Sequence, residues 1–349
     1  MNLPTATKKN KNLIIWAVDP TKKVEDAKNI IKELSIWSKH LNCEVQPVSV
    51  FIQSAFSYPL ELAFPSSVDF KKEAQRTLNS FMKKANTKDF LTPELIFVTA
   101  LSNRRMASEV AKYAEKKNAN LIFANTHAKS TWNPFRLGGF AETLIATSKV
   151  PVLLLNPNAV ASEKIPTILY PTDFSAESKN ALLKQINPIA KSFKSNLLLY
   201  SQVETPNIYP IEFYGAWQGD FSSAESIMKD VESARLKKSR QWLNQLQKEN
   251  INCSALIQRE TKNLASDIIT AAKKNKAGLI SIAIQNHPST LGFLSSVARD
   301  VLVQAKCPIL VFHIPQEHHK ETARSVYPNG NSKYITPKEK SPQQGVSHG

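Results

Sequence analysis

Short apolar runs recur along the chain and are separated by longer amphipathic stretches. Each run spans about five to eight residues and is rich in Ile, Leu and Val, which is typical of strands buried on both faces of a parallel sheet. The ten runs are Leu13–Val18, Val45–Phe51, Glu94–Ala100, Asn120–Ala124, Pro151–Leu155, Thr167–Pro171, Asn196–Val203, Asn252–Gln258, Gly278–Ala283 and Pro308–Phe312.

Helical periodicity fills the stretches between these runs. Apolar residues spaced by three or four positions occur at Ile30, Leu34, Trp37 and Leu41 and again at Leu182, Ile186, Ile189 and Phe193. Pro188 is expected to kink the second of these helices. Two polar amphipathic stretches, Asp69–Ala85 and Ser222–Glu249, are also predicted to be helices. Alternation of strand and helix predicts right-handed βαβ units and an open, doubly wound sheet.

The second half of the chain repeats the first. Met106-Ala-Ser-Glu-Val110 is matched 158 positions later by Leu264-Ala-Ser-Asp-Ile268. Val150-Pro-Val-Leu153 is matched 157 positions later by Cys307-Pro-Ile-Leu310. One residue is therefore missing from the second copy between these blocks, in the loop after the fourth strand. Two domains of about 150 residues account for most of a 349-residue chain.

The predicted organisation has five segments. They are an N-terminal arm over 1–11, a first domain over 12–157, a linker over 158–166, a second domain over 167–315 and a basic tail over 316–349. The arm and the tail lack apolar periodicity, so we expect them to be disordered. The predicted fold class is α/β, with two tandem, doubly wound, five-stranded parallel-sheet (Rossmann-like) domains.

Charge and cysteine content narrow the partners and the compartment. The formal net charge is +16, but lysines are interleaved with acids on polar helix faces, so nucleic acid is not the favoured partner. Cys43, Cys253 and Cys307 are odd in number and have no C-x-x-C spacing, which favours a reduced, cytoplasmic protein. No run approaches the roughly 18 apolar residues of a membrane span, and no signal peptide is recognisable.

Glycine is scarce. The chain has nine glycines in 349 residues, against an average usage of about 7%. No stretch contains the glycines of the phosphate loop G-x-x-x-x-G-K-[ST] or of the dinucleotide fingerprint G-x-G-x-x-G. These two classes of phosphate-binding site are therefore excluded.

Several segments resemble universal stress proteins. The second half opens with Thr167-Ile-Leu-Tyr-Pro-Thr-Asp-Phe-Ser175, and the first half opens with a weaker version, Leu13-Ile-Ile-Trp-Ala-Val-Asp-Pro20. The halves end in similar blocks, Leu137-Gly-Gly-Phe-Ala-Glu142 with Val150-Pro-Val-Leu-Leu-Leu155, and Leu294-Ser-Ser-Val-Ala-Arg299 with Cys307-Pro-Ile-Leu-Val311. The resemblance covers about 12–157 and 165–314 and identifies the chain as resembling a tandem universal stress protein.

The resemblance implies where a nucleotide would bind. In ATP-binding members, an Asp after the first strand contacts the adenine or ribose region, and a loop G-x2-G-x9-G-[ST] after the fourth strand holds the phosphates. Glycines let backbone N–H groups approach phosphate oxygens near a helix N-terminus. In the first half the aspartate position is Asp19. Asn125 and Ala128 replace the first two glycines, Gly138 is retained, and Gly139 replaces the [ST] residue.

The second half departs further from the family pattern. Asp173 is retained, but Ala283, Asn286 and Ser295 stand at the three glycine positions. Ser296 keeps the final hydroxyl, and the loop is one residue shorter than in the first half. The resemblance therefore implies weakened or lost ATP binding, more so in the second half.

These residues also have plain structural interpretations. Asp19 and Asp173 can cap the first helix of each half or bond loop amides, and Ser296 can serve as a helix N-cap. His127 and His287 lie in equivalent loops and can donate to a phosphate, although surface histidines are often incidental. The histidines are too few, and lack the partner ligands, for a metal site.

The resemblance implies a stress-response binding and signalling protein without catalytic residues, acting on unknown protein partners. The alternative is an ATP-binding universal stress protein, with or without slow ATP hydrolysis, that acts as a nucleotide-dependent switch. No Ser-His-Asp arrangement or paired carboxylates support a further enzymatic activity. Because fifth strands pair between two domains in this family, Val152–Leu155 and Ile309–Phe312 are expected to pair within one chain as a pseudo-dimer.

Overall fold

The computed structural model of the chain describes residues 12–52, 70–99, 102–126, 139–155, 162–203, 221–259, 263–285 and 295–314. The described residues all belong to one compact unit. The predicted arm over 1–11 and the tail over 316–349 lie outside them. The predicted domain boundaries therefore stay predictions. Below, the first half means residues 12–157 and the second half means residues 167–315.

All ten predicted strands form, with ends shifted by a few residues. The first half contains β1 (Asn12–Ala17), β2 (Cys43–Ile52), β3 (Glu94–Val98), β4 (Leu121–Asn125) and β5 (Val152–Leu155). The second half contains β6 (Thr167–Pro171), β7 (Asn196–Val203), β8 (Cys253–Arg259), β9 (Ala277–Gln285) and β10 (Ile309–Ile314).

Helices connect the strands as the periodicity predicts. In the first half they are α1 (Val24–Leu41), α2 (Phe70–Lys84), α3 (Asn103–Lys116) and α4 (Gly139–Thr147). In the second half they are α5 (Ala176–Ala181), α6 (Asn187–Phe193), α7 (Phe221–Lys248), α8 (Leu264–Lys274) and α9 (Ser296–Gln304). A π-helical segment, Leu182–Ile186, joins α5 to α6. It lies just before Pro188, which lacks the amide needed for an ordinary helical hydrogen bond.

The strands form one sheet in the order β3-β2-β1-β4-β5-β10-β9-β6-β7-β8. Neighbouring strands within each half are parallel. β5 and β10 are antiparallel, with Leu153 opposite Leu310. The architecture is two tandem, doubly wound, five-stranded α/β units arranged as a pseudo-dimer.

The join between the halves has approximate twofold symmetry. Val152 faces Val311, and Leu154 faces Ile309. Because Leu310 is the repeat equivalent of Leu153, 157 positions later, a pseudo-twofold axis passes through this residue pair. Both leucines are completely buried.

Each face of the sheet has its own apolar core, and both cores run across the two halves. α1, α2, α5, α6 and α7 cover one face, and α3, α4, α8 and α9 cover the other. The predicted helical residues Ile30, Leu34 and Trp37 are buried in the first of these cores. Burial on both faces explains why the strands are nearly continuous apolar runs.

The end of the linker is held by specific contacts. The Ser162 amide donates to Glu33 Oε1 on α1 over 2.9 Å. Burial raises the pKa of Glu33, and this outweighs the lowering by hydrogen bonds from Ser162 and Trp37. Gly278 on β9 lies against the linker, because a Cβ there would be 3.0 Å from Pro166 Cδ and 3.1 Å from Ile165 Cα.

None of the helices in the described part of the chain has the length and apolar character of a membrane span.

Candidate functional site

The first candidate residue, Asp19, lies just beyond β1, at the carboxyl edge of the sheet. Its Oδ1 accepts hydrogen bonds from the Thr21 amide over 3.1 Å and from Thr21 Oγ1 over 2.6 Å. The N-cap of α1 is Lys23, which makes no side-chain capping bond. Of the two structural interpretations of Asp19, the loop-amide contact is present and the helix cap is not.

Its counterpart Asp173 is held more tightly. Asp173 Oδ1 accepts from the Ser175 amide over 3.0 Å and from Ser178 Oγ over 2.8 Å. Burial raises the pKa of Asp173, but these hydrogen bonds outweigh burial and lower the pKa below its usual value. The N-cap of α5 is Ser175, which accepts from the Ser178 amide. Asp173 therefore supports the cap without being the cap.

The chain leaves Asp173 through a strained residue. Phe174 has φ of 59°, in the left-handed region that a bulky side chain rarely adopts. Its amide donates to Thr172 Oγ1 over 3.0 Å, and its buried ring packs edge-on against Trp242 with centroids 5.1 Å apart. These contacts fix the position of the Asp173 loop. In the first half, Pro20 follows Asp19, and its ring restricts φ to negative values.

The loop after the fourth strand starts beside each aspartate. β1 and β4 are neighbours, so Asn125 at the end of β4 lies at the same sheet edge as Asp19. Likewise, Ala283 near the end of β9 lies beside the end of β6, which leads to Asp173. Asn125 Oδ1 is buried and has no hydrogen-bond partner in the described part of the chain. Asn125 and Ala283, which stand where ATP-binding members have glycine, thus put side chains at this edge.

The helix after the second loop is capped by a different serine from the one predicted. Ser295, rather than Ser296, is the N-cap of α9, and its hydroxyl accepts from the Ala298 amide over 3.2 Å. Ser296 is the first helical residue. The reason is backbone conformation: Ser295 has extended ψ of 151°, which an N-cap requires.

The remaining predicted loop residues are only partly described. Gly139 begins α4, and a Cβ added to it would meet no atom of the described residues within 4 Å. Space therefore does not require glycine at that position. His127, Ala128, Gly138 and Asn286 lie outside the described residues, as does His287. Within the described ranges, no group of three or more His, Cys, Asp or Glu side chains could hold a metal ion.

Comparison with known proteins identifies the family. A family model described as the universal stress protein family matches residues 22–156 and again residues 164–313. The chain belongs to the universal stress protein family. A search of curated proteins found no match.

Solved structures agree with this fold. A universal stress protein from Archaeoglobus fulgidus DSM 4304 is 18% identical, with a TM-score of 0.57 over 88% of this chain and 100% of that chain. A functionally unknown protein from Pseudomonas aeruginosa PAO1 is 14% identical, with a TM-score of 0.58 over 87% and 93% of the two chains. At these identities, the similarity establishes the fold of this universal stress protein and not its ligand.

A polar cluster at the ends of β7 and β8 was missed by the sequence reasoning. Gln258 Nε2 donates to Tyr200 Oη over 2.9 Å, and Gln202 Nε2 donates to Asp267 Oδ2 over 2.6 Å. Tyr200, Gln202 and Asp267 are all buried. Burial, aided by the nearby Asp267 carboxylate, raises the pKa of Tyr200 to about 12, so its hydroxyl stays protonated.

Ion pairs lie on the opposite face of the same two strands. Arg259, the last residue of β8, donates to both carboxylate oxygens of Glu225 over 3.0 and 3.1 Å and approaches Glu232 at 3.4 Å. Its hydrogen bonds lower the pKa of Glu225. Arg235 Nη1 donates to Ser201 Oγ over 2.8 Å and to the Gln202 carbonyl oxygen. These contacts hold α7 over the strand ends.

The first half lacks this cluster because the equivalents of its three strand residues are apolar, although Glu109 stands at the position of Asp267. Val48 pairs with Ala17, two residues before Asp19, and Tyr200 pairs with Pro171, two residues before Asp173. Val48 and Tyr200 therefore occupy matching positions. By the same register, Val50 matches Gln202 and Ile96 matches Gln258. The available sequence signal was the appearance of Gln and Arg at the ends of otherwise apolar strands.

Proposed function

We propose that this universal stress protein is a stress-response binding and signalling protein whose nucleotide site no longer binds ATP tightly. The observation that carries the proposal is the cap of α9. In the ATP-binding motif a glycine occupies this position, so nothing covers the first helical amides. Here the Ser295 hydroxyl accepts from the Ala298 amide, one of the donors that a phosphate would need.

The other described loop positions support the same proposal. Asn125 and Ala283 carry side chains where ATP-binding members have glycine, so backbone amides there are less able to approach a phosphate. Asn125 Oδ1, which has no hydrogen-bond partner among the described residues, is an acceptor and cannot donate to a phosphate oxygen. The loop in the second half is also one residue shorter.

The two retained aspartates favour the alternative, an ATP-dependent switch. Asp19 and Asp173 both lie at the carboxyl edge of the sheet, directly after the first strand of each half. Their carboxylates can accept hydrogen bonds from a ribose. The first half also retains Gly138 and the full loop length. We therefore place any residual ATP binding in the first half.

Calorimetric titration with ATP and Mg²⁺ tests the proposal. We expect no saturable binding tighter than about 1 mM in the natural protein. Restoring the motif in the first half with Asn125→Gly, Ala128→Gly and Gly139→Ser should create one site, and adding Asp19→Ala should remove it.

Two results would change the conclusion. Tight, stoichiometric ATP in both halves of the natural protein would overturn the loss of binding. One site that Asp19→Ala removes and Asp173→Ala leaves would favour the switch. A turnover assay for ATP hydrolysis is expected to give only background, because we assign no catalytic residue.

The same proposal covers compartment and assembly. The three cysteines are free, and burial raises the pKa of Cys43 and of Cys307 to about 11, so both thiols stay protonated. A cytoplasmic location fits inert, reduced thiols. We propose that the pairing of β5 with β10 lets one chain serve as the family dimer, leaving its outer surface for protein partners that are not yet known.

A further inference from the structure

Lysines collect at the amino edge of the second half of the sheet, opposite the edge that carries Asp173. We call this surface the lysine edge, and it consists of the segments 162–166, 190–195, 245–252, 271–276 and 302–308, which lead into β6–β10. Its eight lysines are all exposed, and they are Lys164, Lys191, Lys194, Lys248, Lys273, Lys274, Lys276 and Lys306. The same segments contain two acids, Glu163 and Glu249, so eight lysines and two glutamates give a formal charge of +6.

The starts of the five strands lie side by side. β10, β9, β6, β7 and β8 are neighbours in that order and are parallel. Neighbouring strands are about 4.8 Å apart, so the lysine edge is about 19 Å long. Thr167 pairs with Ala277, and Ile309 pairs with Ile280, which brings together the segments before β6, β9 and β10. The lysines therefore form one surface.

Few of these charges are neutralised within the protein. Lys191 Nζ lies 3.5 Å from Glu249 Oε2, which also accepts a hydrogen bond from Asn187 Nδ2 over 2.6 Å. The other seven lysines make no ion pair with any described residue. The lysine edge therefore leaves most of its positive charge available to a partner.

The repeat shows that two of these lysines stand where the first half has an ion pair. Lys149 Nζ contacts Glu115 Oε1 over 2.6 Å. The matching positions, 157 and 158 residues later, are Lys306 and Lys273. The helices that lead to them pack in the same way, α3 on α4 and α8 on α9. The second half thus sets two like charges close together, which costs stability unless an anion lies between them.

Two helix ends show a similar exchange. α1 and α3 are followed by Asn42 and Asn118, with φ of 51° and 52°. At the matching positions, α6 and α8 are followed by Lys194 and Lys276, with φ of 53° and 50°. Asn tolerates this left-handed conformation better than Lys. Local backbone preference therefore opposes lysine at both positions.

Stabilisation of helix ends explains only part of the lysine edge. Four of the eight lysines lie in the last turns of α6, α7 and α8, where a positive charge is favourable. The other four lie outside helices. One exchange between the halves runs the other way, from Lys117 to Asn275. The remaining lysines need a different reason.

The chemistry of the lysine edge discriminates between classes of polyanion. Every cation is a lysine, and none is an arginine, whose planar fork binds phosphates at two points. The exposed large apolar side chains of the described residues are Val231 and Leu236, twelve or more positions before Lys248 on α7. No described residue of this edge therefore offers a ring for stacking bases or an apolar anchor for a membrane. An acidic polypeptide needs neither, and about six extended residues span 19 Å.

We propose that the lysine edge binds an acidic segment of a partner protein, extended across the starts of β6–β10. Carboxylates of the partner supply the negative charge that Glu115 supplies in the first half. The segment 316–349 of the chain itself does not supply it, because that segment has more Lys and Arg than Asp and Glu. This inference rests on the proposed binding function and names the chemistry of its protein partner. It does not depend on whether ATP binds.

Fluorescence anisotropy with a labelled decaglutamate peptide, without nucleotide and in about 0.1 M salt, tests the proposal. The variant combines Lys194→Asn, Lys273→Glu and Lys276→Asn, which are the residue types of the first half. Because these changes remove like charges and left-handed lysines, the variant should unfold at the same temperature as the natural chain or higher. We expect its Kd for the peptide to be larger on the order of tenfold.

A matched control removes the same amount of charge from the amino edge of the first half. Lys39→Gln, Lys83→Gln and Lys116→Glu change exposed residues in the last turns of α1, α2 and α3. This control variant has the same net charge as the lysine-edge variant. Its Kd for the peptide should rise by less than about threefold.

Three results would overturn the proposal. The natural chain could fail to bind the peptide, or both variants could weaken binding equally, which would make net charge the cause. Tighter binding to an oligothymidine strand or to phosphatidylserine vesicles than to the peptide would assign the lysine edge to nucleic acid or to a membrane. The calorimetric ATP titration uses no peptide, so its outcome and the outcome of this experiment are separate.

Discussion

At the carboxyl edge of the sheet, the two halves present different surfaces on the same strands. The first half has Val48, Val50 and Ile96 where the second half has Tyr200, Gln202 and Gln258. The polar residues are paired with one another or with Asp267, so the second half closes its strand ends with hydrogen bonds. The fold tolerates either solution because the apolar side chains need no hydrogen-bond partner and the polar ones have the partners just named.

The loops that carry Asp19 and Asp173 show the same contrast, with more side-chain hydrogen bonds in the second half. Asp19 contacts only Thr21 in the bonds described above, whereas Asp173 joins Ser175 and Ser178 in the capped start of α5. The second half therefore uses more of the polar groups at its carboxyl sheet edge in internal hydrogen bonds. The first half keeps a simpler loop. This comparison makes the first half the place to look for a bound small molecule.

The largest effect on stability is expected where β5 pairs with β10, because the two halves should be equivalent there. Leu153→Ala and Leu310→Ala each remove a fully buried side chain from the axis, so each should lower the free energy of unfolding by about 3–5 kcal/mol. Chemical denaturation measures both. Leu236→Ala, at a side chain 40% exposed on α7, should cost less than about 0.5 kcal/mol. Effects that differ by more than about 2 kcal/mol between the two axial leucines would contradict the pseudo-symmetry.

A smaller effect is expected where only one half needs glycine. Gly278→Ala would push a Cβ into Ile165 Cα and Pro166 Cδ, and we expect a loss of about 1–3 kcal/mol. Gly139→Ala adds a Cβ that meets no atom of the described residues, so it should leave stability unchanged or raise it by up to about 1 kcal/mol. Thermal and denaturant unfolding compare the two variants. Equal losses would mean that the linker contact does not constrain β9.

Removing one hydrogen bond from the polar cluster at the ends of β7 and β8 should lower stability by a smaller amount. Tyr200→Phe removes the acceptor for Gln258 Nε2 and should cost about 1 kcal/mol. Adding Gln258→Ile, the residue type of the first half, should recover most of that loss because both polar partners are then gone. A double-mutant cycle from denaturant unfolding measures the coupling. Strictly additive losses would show that the two side chains are not coupled.

The smallest effects concern the carboxyl groups of Asp173 and Glu33, whose contributions to stability should change with pH in opposite directions. The folded pKa of Asp173 lies below its usual 3.8, so its stabilising contribution is present above that pH and is lost as the pH falls through the folded pKa. The folded pKa of Glu33 lies above its usual 4.5, so its contribution is present below that pH and is lost as the pH rises through the folded pKa.

Two variants measure this difference in unfolding experiments from pH 3 to pH 7. Relative to the natural protein, Asp173→Asn should become less stable as the pH rises from about 3 to 5. Glu33→Gln, which keeps an acceptor for Ser162, should become relatively more stable as the pH rises above about 4.5. If the stability differences of the two variants from the natural protein changed with pH in the same direction, the opposite pKa shifts of Asp173 and Glu33 would be refuted.

Much of the fold was predictable because its signals are local. The strands are buried on both faces, so Ile, Leu and Val mark each of them. The repeat offset also located equivalent residues. The cap of α9 was placed one residue too late, since Ser295 and Ser296 are chemically alike and only backbone ψ distinguishes them. The Gln202–Asp267 bond joins residues 65 positions apart, which no local pattern reveals. The left-handed Phe174 depends on packing against Trp242, a similarly distant contact.

The continuous sheet changes how the protein meets other copies of itself at high concentration. Two separate five-stranded sheets would present four open edges, each a template for unwanted strand addition. Joining β5 to β10 leaves β3 and β8 as the outer strands of the described sheet. Each carries a charge at one end, Glu94 at the start of β3 and Arg259 at the end of β8. Fusion of the two halves thus leaves two open sheet edges where two separate halves would have four.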